Sequence, residues 1–250
     1  MRKKTKISIV MPNYNSSLFL EQTVKSIINQ SFLNWELIIV DDNSSFQTKK
    51  ILKKYSKIKK IKIFFLKRNR GDGYCRLYGV KKAHSSIIAF IDSDDIWKKN
   101  KLKLQYNFMK NYNLNFTYTQ YNAFKENGFK KRILPPKKYN FENFTKNTSI
   151  ATSSMMIRRK LLNKIKLSNS PNFEDYFLKC QILKKINYAY CLQNNLLNYR
   201  IRSRSLSNNK LRNIIWIWII NRKFNKMSFF KSLISVLLIS VNSIIKYGLK

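Results

Sequence analysis

Three of the chain's 12 acidic residues, Asp92, Asp94 and Asp95, fall within four positions, directly after the apolar run 87–91. Against 50 basic residues, composition alone does not account for such a cluster. Asp92 and Asp94 stand two apart with Ser93 between them. Leaving a strand in a turn, both can aim oxygens at one hard cation that also holds a diphosphate. The plain alternative is a polar turn that caps the next helix, where Asp is favoured for backbone reasons. Two further polar groups follow apolar runs, at Asn13-Tyr14-Asn15 and Asp41-Asp42. Another acidic pair, Glu174-Asp175, opens a later segment of helical pattern; helix-dipole stabilisation would also explain acids there.

These groups need a scaffold, and the first hundred residues supply one. Residues 7–11 read as a strand stopped by Pro12. A helical stripe over 18–30 follows, with Ser16 or Ser17 as its N-cap. Residues 36–40 make a second strand, 46–57 a helix and 61–66 a third strand. Arg70-Gly71-Asp72-Gly73 opens a helix to about Ala83, and 87–91 is a fourth strand buried on both faces. Strand–helix alternation of this kind predicts βαβ units, a parallel sheet and a crevice at the strands' carboxyl ends. Beyond Trp97 the pattern loosens. Helices are expected over 102–112 and 174–186, strands over 115–124 and 149–157, and an edge strand over 189–201.

Length and composition bound the classes. At 250 residues, 44% hydrophobic and 14% aromatic, the chain can bury one substantial α/β core and is not disordered. The net charge of +38 suits nucleic acid, an anionic membrane surface or a lysine-rich proteome. The charge is spread rather than blocked, which favours the last two. Arg/Gly repeats and paired zinc-ligand spacings are absent, so no nucleic-acid partner is expected. Cys75, Cys180 and Cys191 form no spaced framework and predict free thiols in a reducing compartment. His84 falls on a helix-to-strand turn and is read as structural. The basic N-terminus is followed by too few apolar residues for a signal peptide, so the active part is expected in the cytosol.

The tail is different. Residues 214–220 are apolar with two tryptophans, and 229–245 are apolar with serines; basic residues flank both. The second stretch is at the short limit for a span, which needs roughly 20 apolar residues. An interfacial amphipathic helix pair is expected. Helices packed on the main domain, or a true span, are the alternatives.

Residues 8–15 (Ser8-Ile9-Val10-Met11-Pro12-Asn13-Tyr14-Asn15) resemble the opening of family-2 glycosyltransferases. So do Ser26-Ile27-Ile28-Asn29-Gln30-Ser31-Phe32 and the stretch from Glu36 to Ser44. The segment from Ala89 to Trp97 looks like their metal-binding DxD segment, and Glu174-Asp175 like their catalytic acidic pair. The order and spacing of all four carry the resemblance, over roughly residues 5–205. It implies a Rossmann-like GT-A fold with a mixed sheet flanked by helices. Residues 5–97 would form the nucleotide-binding half and 98–210 the acceptor half of a domain spanning 1–210, with 211–250 as a membrane-associating tail.

The implied activity is inverting transfer of a sugar from a nucleotide-diphosphate donor, a UDP-sugar, to a saccharide or lipid-linked acceptor. The setting would be bacterial surface-polysaccharide assembly on the inner face of the cytoplasmic membrane. On this likeness Pro12, Tyr14, Asp41, Asp42, Arg76, Asp92 and Arg202 would contact the donor. Tyr14 would stack on the base, and Asp42 would accept from a base N–H. Asp41 would contact base or ribose, or cap its loop. Arg76 would pair with phosphate or base; a solvated helix face is its alternative. Asp94 and Asp92 would hold Mg²⁺ or Mn²⁺, with Asp95 supporting the turn. Asp175 would be the base and Glu174 would orient it or the acceptor. Arg202 stands where many relatives carry a histidine; it cannot ligate a metal but can bind diphosphate. A basic nucleic-acid-binding protein, or a non-catalytic scaffold, is the alternative reading.

Overall fold

The computed structural model describes residues 5–168, 173–202 and 210–248; the basic residues 1–4 lie outside these. The first half alternates as the apolar runs predict: β1 (Ile7–Asn13), α1 (Leu20–Ile28), β2 (Trp35–Asp41), α2 (Phe46–Tyr55), β3 (Ile61–Phe65), α3 (Asp72–Lys82) and β4 (Ile87–Phe90). There follow β5 (Ile96–Trp97), α4 (Lys101–Asn111), β6 (Phe116–Phe124), β7 (Lys130–Ile133), β8 (Lys138–Tyr139) and α5 (Phe141–Phe144). After these come β9 (Met156–Arg158), α6 (Glu174–Leu183), β10 (Ala189–Arg200), α7 (Lys210–Ile219) and α8 (Phe229–Tyr247).

One mixed sheet runs β3-β2-β1-β4-β9-β6-β10-β5, with β7 on β6 and β8 on β10. Strands β3, β2, β1 and β4 are parallel, while β9 joins β4 antiparallel. Every residue of β1, β2 and β4 is buried, as strands covered on both faces require. Side chains alternate between two cores. Ile7, Ile9 and Met11 face α1 residues Leu20, Val24 and Ile27, while Val10 joins Ile38, Val40 and Cys75 under α3. Each fully buried aliphatic contributes about 1.5–3 kcal/mol, against about 1 for a hydrogen bond. The apolar strand bodies therefore hold the sheet, and the polar strand ends are available for chemistry.

Several expectations are corrected. β1 does not stop at Pro12; it continues through it in register with Val40. β4 pairs with β1 only as far as Val10, so β1 is an edge on that side where Pro12 lacks its donor. Neither Ser16 nor Ser17 caps α1, whose N-cap is Phe19; the Ser16 hydroxyl instead bonds Asn13 Oδ1. Residues 149–157 are not one strand. A buried 3₁₀ turn, Thr152–Ser154, precedes the short β9. β10 is no edge: it lies between β6 and β5. Register shifts near Leu192, Asn195 and Leu197 break its alternation, as bulges do.

The tail helices share the main core. Ile217, Ile220, Val236 and Ile239 pack in the same cluster as Tyr176, Phe177 and Phe144, so the core runs through the boundary expected near residue 210. Buried Asn221 accepts from the Tyr176 hydroxyl at 2.8 Å and donates to Ser235 Oγ at 2.8 Å. α8 is long and apolar enough to cross a membrane, yet its orientation inverts the usual rule. Ser232 and Ser235 face the protein beside Val236 and Ile239, while Phe229, Phe230, Leu233, Ile234, Leu237 and Val241 face outward.

Candidate active site

The carboxyl ends of β1, β2 and β4 meet at one edge of the sheet. Asn13 Nδ2 donates to Asp41 Oδ1 at 2.7 Å, and Asp41 Oδ2 accepts from Ser44 N at 3.1 Å. Asp41, fully buried, thus engages both oxygens in its own loop. Asp42 accepts from Arg70 N at 2.7 Å and Gly71 N at 2.8 Å. Gly71, at φ +81°, turns the chain so that both amides face that carboxylate, a conformation glycine adopts freely. Tyr14 follows β1 and is 48% exposed, leaving its ring open to a flat partner.

Arg76 reaches from α3 into the acidic turn. Its Nη2 lies 2.7 Å from Asp92 Oδ1 and 3.8 Å from Asp72 Oδ2. Burial disfavours the guanidinium charge, but Asp92, Asp72 and Asp175 outweigh burial and push its pKa up. Its Nε is buried without a hydrogen-bond partner, an unfilled donor beside Asp92.

The acidic turn is tied to the end of β10. Asp95 Oδ1 accepts from Arg200 N at 2.8 Å, and Arg200 Nε donates to Asp94 O at 2.8 Å. Arg202 Nε lies 2.7 Å from Asp94 Oδ2. Burial raises Asp94 to about 6, with Arg202 opposing and Asp92 adding. Burial and both neighbouring carboxylates push Asp95 up as well. Asp92 is fixed from the other side by its backbone N–H on Ser153 Oγ, at 2.9 Å.

Asp175 sits in the first turn of α6, presented by an unusual backbone. Phe173, the residue before α6, has φ +67°, which is rare and strained for a bulky side chain. Asp175 Oδ2 accepts from Lys179 Nζ at 2.8 Å and from Thr152 Oγ1 at 3.3 Å. Burial would raise its pKa, but the Lys179 and Arg76 charges prevail and hold it at about 2. Glu174 turns away; its carboxylate accepts from Ser168 N at 2.9 Å and Ser168 Oγ at 2.6 Å. Asp92 and Asp175 line one cavity of about 150 Å³, with Tyr121, Tyr199 and Lys179 among its walls. A larger open depression beside α1 and β5, walled by Gln22, Lys25 and Trp97, contains none of these carboxylates.

The sequence profile described as "Glycosyl transferase family 2" matches residues 8–166. The chain belongs to glycosyltransferase family 2. It is 34% identical over 92% of both chains to TuaG of Bacillus subtilis, named as a teichuronic acid biosynthesis glycosyltransferase. It is 32% identical to Escherichia coli WfgD, a UDP-Glc:alpha-D-GlcNAc-diphosphoundecaprenol beta-1,3-glucosyltransferase, over 85% of this chain and 83% of that one. Among solved structures, S. aureus TarS 1-349 with UDP-GlcNAc superposes at TM-score 0.75 and 20% identity, over 97% of this chain and 73% of that one. The Pyrobaculum calidifontis mannosyltransferase PcManGT, with GDP-Man and Mn²⁺, superposes at 0.70 and 13% identity, over 95% and 70%. The shared fold is the GT-A arrangement.

For a family-2 glycosyltransferase, the acidic turn is a reasonable cation seat only in company with its donor. Among the described residues, no three His, Cys, Asp or Glu side chains converge into a metal cage. Asp92 and Asp94 offer hard oxygens, one on each already bound by Arg76 or Arg202. Mg²⁺ suits such a partial set because it completes its shell with diphosphate oxygens and water. The carboxylates therefore fit an ion that arrives with a diphosphate.

Sequence reasoning missed Lys179, Thr152, Ser153 and Phe173. Lys179 had a signal: it is one helical turn beyond Asp175, the spacing at which helical side chains meet. The others had none, because their importance depends on where the 3₁₀ turn falls against α6.

Proposed function

We propose that this glycosyltransferase moves a sugar from a UDP-linked donor to a hydroxyl of a saccharide carried on a lipid, with inversion, in bacterial surface-polysaccharide assembly. The observation that carries the reading is Asp175 facing the same cavity as Asp92, with the charged Arg76 nearby. The acceptor O–H proton passes to Asp175 as the oxygen bonds the anomeric carbon and the carbon–oxygen bond to the diphosphate breaks. A carboxylate at about pKa 2 is ionised at neutral pH, yet it is a weak base. It accepts the proton only as the new bond forms and the hydroxyl becomes acidic. Arg76 and Arg202 take up charge on the departing diphosphate. A divalent ion held by Asp92 and Asp94 would supply further electrostatic stabilisation of that leaving group. Tyr14 stacks on the base, Asp42 and the Pro12–Asn13 strand end border it, Asp41 keeps their loop in shape, and Glu174 braces the segment that presents Asp175.

The tail supports a location on the inner face of the cytoplasmic membrane. The outward face of α8 is apolar, and Arg222, Lys223, Lys226 and Lys231 are exposed beside it. Apolar burial combined with basic charge is the pattern of a helix lying in an anionic interface.

Thermal melts with UDP- and GDP-sugars, each with and without Mn²⁺, test the reading. A ligand at about 100 times its Kd stabilises by about 2.7 kcal/mol. A metal-dependent rise with UDP-sugars is expected. A folded protein whose melting point no nucleotide diphosphate moves would overturn it.

A further inference from the structure

One buried cation, Lys179, holds Asp175 ionised and still has donors to spare. Lys179 is 4% exposed, and Asp175 is the one hydrogen-bond partner of its ammonium among the described residues. An ammonium has three N–H donors, so two remain unfilled. Desolvating an ammonium costs several kcal/mol unless its donors are used. That cost is reasonable where a ligand supplies the missing acceptors.

The surroundings indicate which ligand. Lys179 lines the cavity with Asp175, and the tail contributes Ile217, Ile239 and Tyr247 to its walls. The Tyr247 and Tyr121 hydroxyls lie 2.9 Å apart. This end of the cavity thus sets the Lys179 ammonium beside the Asp175 carboxylate, among apolar and tyrosine walls. The donor diphosphate is served elsewhere, by Arg76 and Arg202. An anion bound at Lys179 therefore belongs to the acceptor, and it enters past helices whose outer face is apolar.

We propose that Lys179 is the anion-binding residue of the acceptor subsite, holding a phosphate that the acceptor sugar carries near the hydroxyl Asp175 deprotonates. This rests on the glycosyltransferase reading of the cavity. One Lys179 N–H stays on Asp175 and the other two take phosphate oxygens, so a single side chain registers the acceptor against the base.

The probes are farnesyl diphosphate and farnesol, titrated calorimetrically into full-length protein saturated with UDP and Mn²⁺ so that the donor side is filled. The wild type should bind the diphosphate at least about tenfold tighter than the alcohol, as charge-assisted bonds require. Lys179→Met should lose that preference while keeping UDP affinity, and Lys179→Arg should restore most of it. Inorganic diphosphate should compete weakly, since it lacks the chain. A merely structural lysine would not move the preference, so Lys179→Met binding farnesyl diphosphate as the wild type does would overturn the proposal. So would a wild type that ignores the diphosphate. If UDP itself fails to bind, the donor reading falls, while the same titrations without UDP still decide the role of Lys179.

Discussion

Glu174 packs directly on the bare backbone of Gly73: a Cβ built at Gly73 would stand 2.7 Å from Glu174 Cβ and 2.8 Å from its Cγ. Ala in a helix interior is ordinarily favoured over Gly by about 0.8–1 kcal/mol. Here that gain cannot be realised without moving α6, because the obstructing atoms lie at the root of the side chain. Gly73→Ala is expected to lower the melting temperature and to cut kcat/KM at least about tenfold, since a displacement near 1 Å at a site can cost more than that. Turnover equal to wild type would show that Glu174 does not fix the position of Asp175.

Asp175→Asn keeps the shape and an oxygen acceptor for Lys179 but removes the base. Transfer should fall by about 10²–10⁴, with UDP affinity within about threefold of wild type and a melting point within a few degrees. Radiolabelled-sugar transfer beside UDP titration separates the two effects. Loss of UDP binding in this variant would place Asp175 in the donor site instead.

On α8, Leu233, Leu237 and Val241 are 41%, 56% and 52% exposed and touch little of the protein. The triple change to Ser should leave the melting point nearly unchanged while cosedimentation with phosphatidylglycerol vesicles falls more than about tenfold, given ~0.8 kcal/mol per CH₂ removed from lipid. A drop in melting point with unaltered vesicle binding would mean that the face is covered by protein.

Far from the site, Glu36 joins Ser8 at 2.7 Å, His84 N at 2.8 Å and Lys62 at 3.0 Å. Burial raises its pKa, but these partners prevail and hold it below the ordinary 4.5. A depressed carboxylate stabilises the fold above its unfolded pKa, and the contribution is lost as pH falls through the folded value. Glu36→Gln should therefore cost about 1–3 kcal/mol at neutral pH, and the deficit should shrink below pH 4.5. Urea melts at the two pH values check this; an equal deficit at both would assign the loss to packing.

The first half was legible because parallel strands buried on both faces read as unbroken apolar runs, and the polar residues at their ends mark the candidate site. Asp92 and Asp94 stand out against a basic chain for the same reason. The second half was harder. Bulges in β10 disguise an interior strand as an edge, and the buried Thr152–Ser154 turn has the composition of a surface loop. Periodicity found α8 but not its orientation, since Ser232 and Ser235 face inward where apolar side chains would be expected. Arg200 meets the acidic turn through contacts that only the closed sheet creates.

Tyr247 and Tyr121 share a hydrogen bond, and this links place to performance. The last turn of α8, a helix with an apolar outer face, is also a wall of the cavity that Asp92 and Asp175 line. Detergent that lifts this helix would be expected to alter turnover as well as whereabouts. A truncation that removes α8 would strip Val236 and Ile239 from the core and open the cavity beside Asp175 to water, so melting point and turnover are expected to fall together.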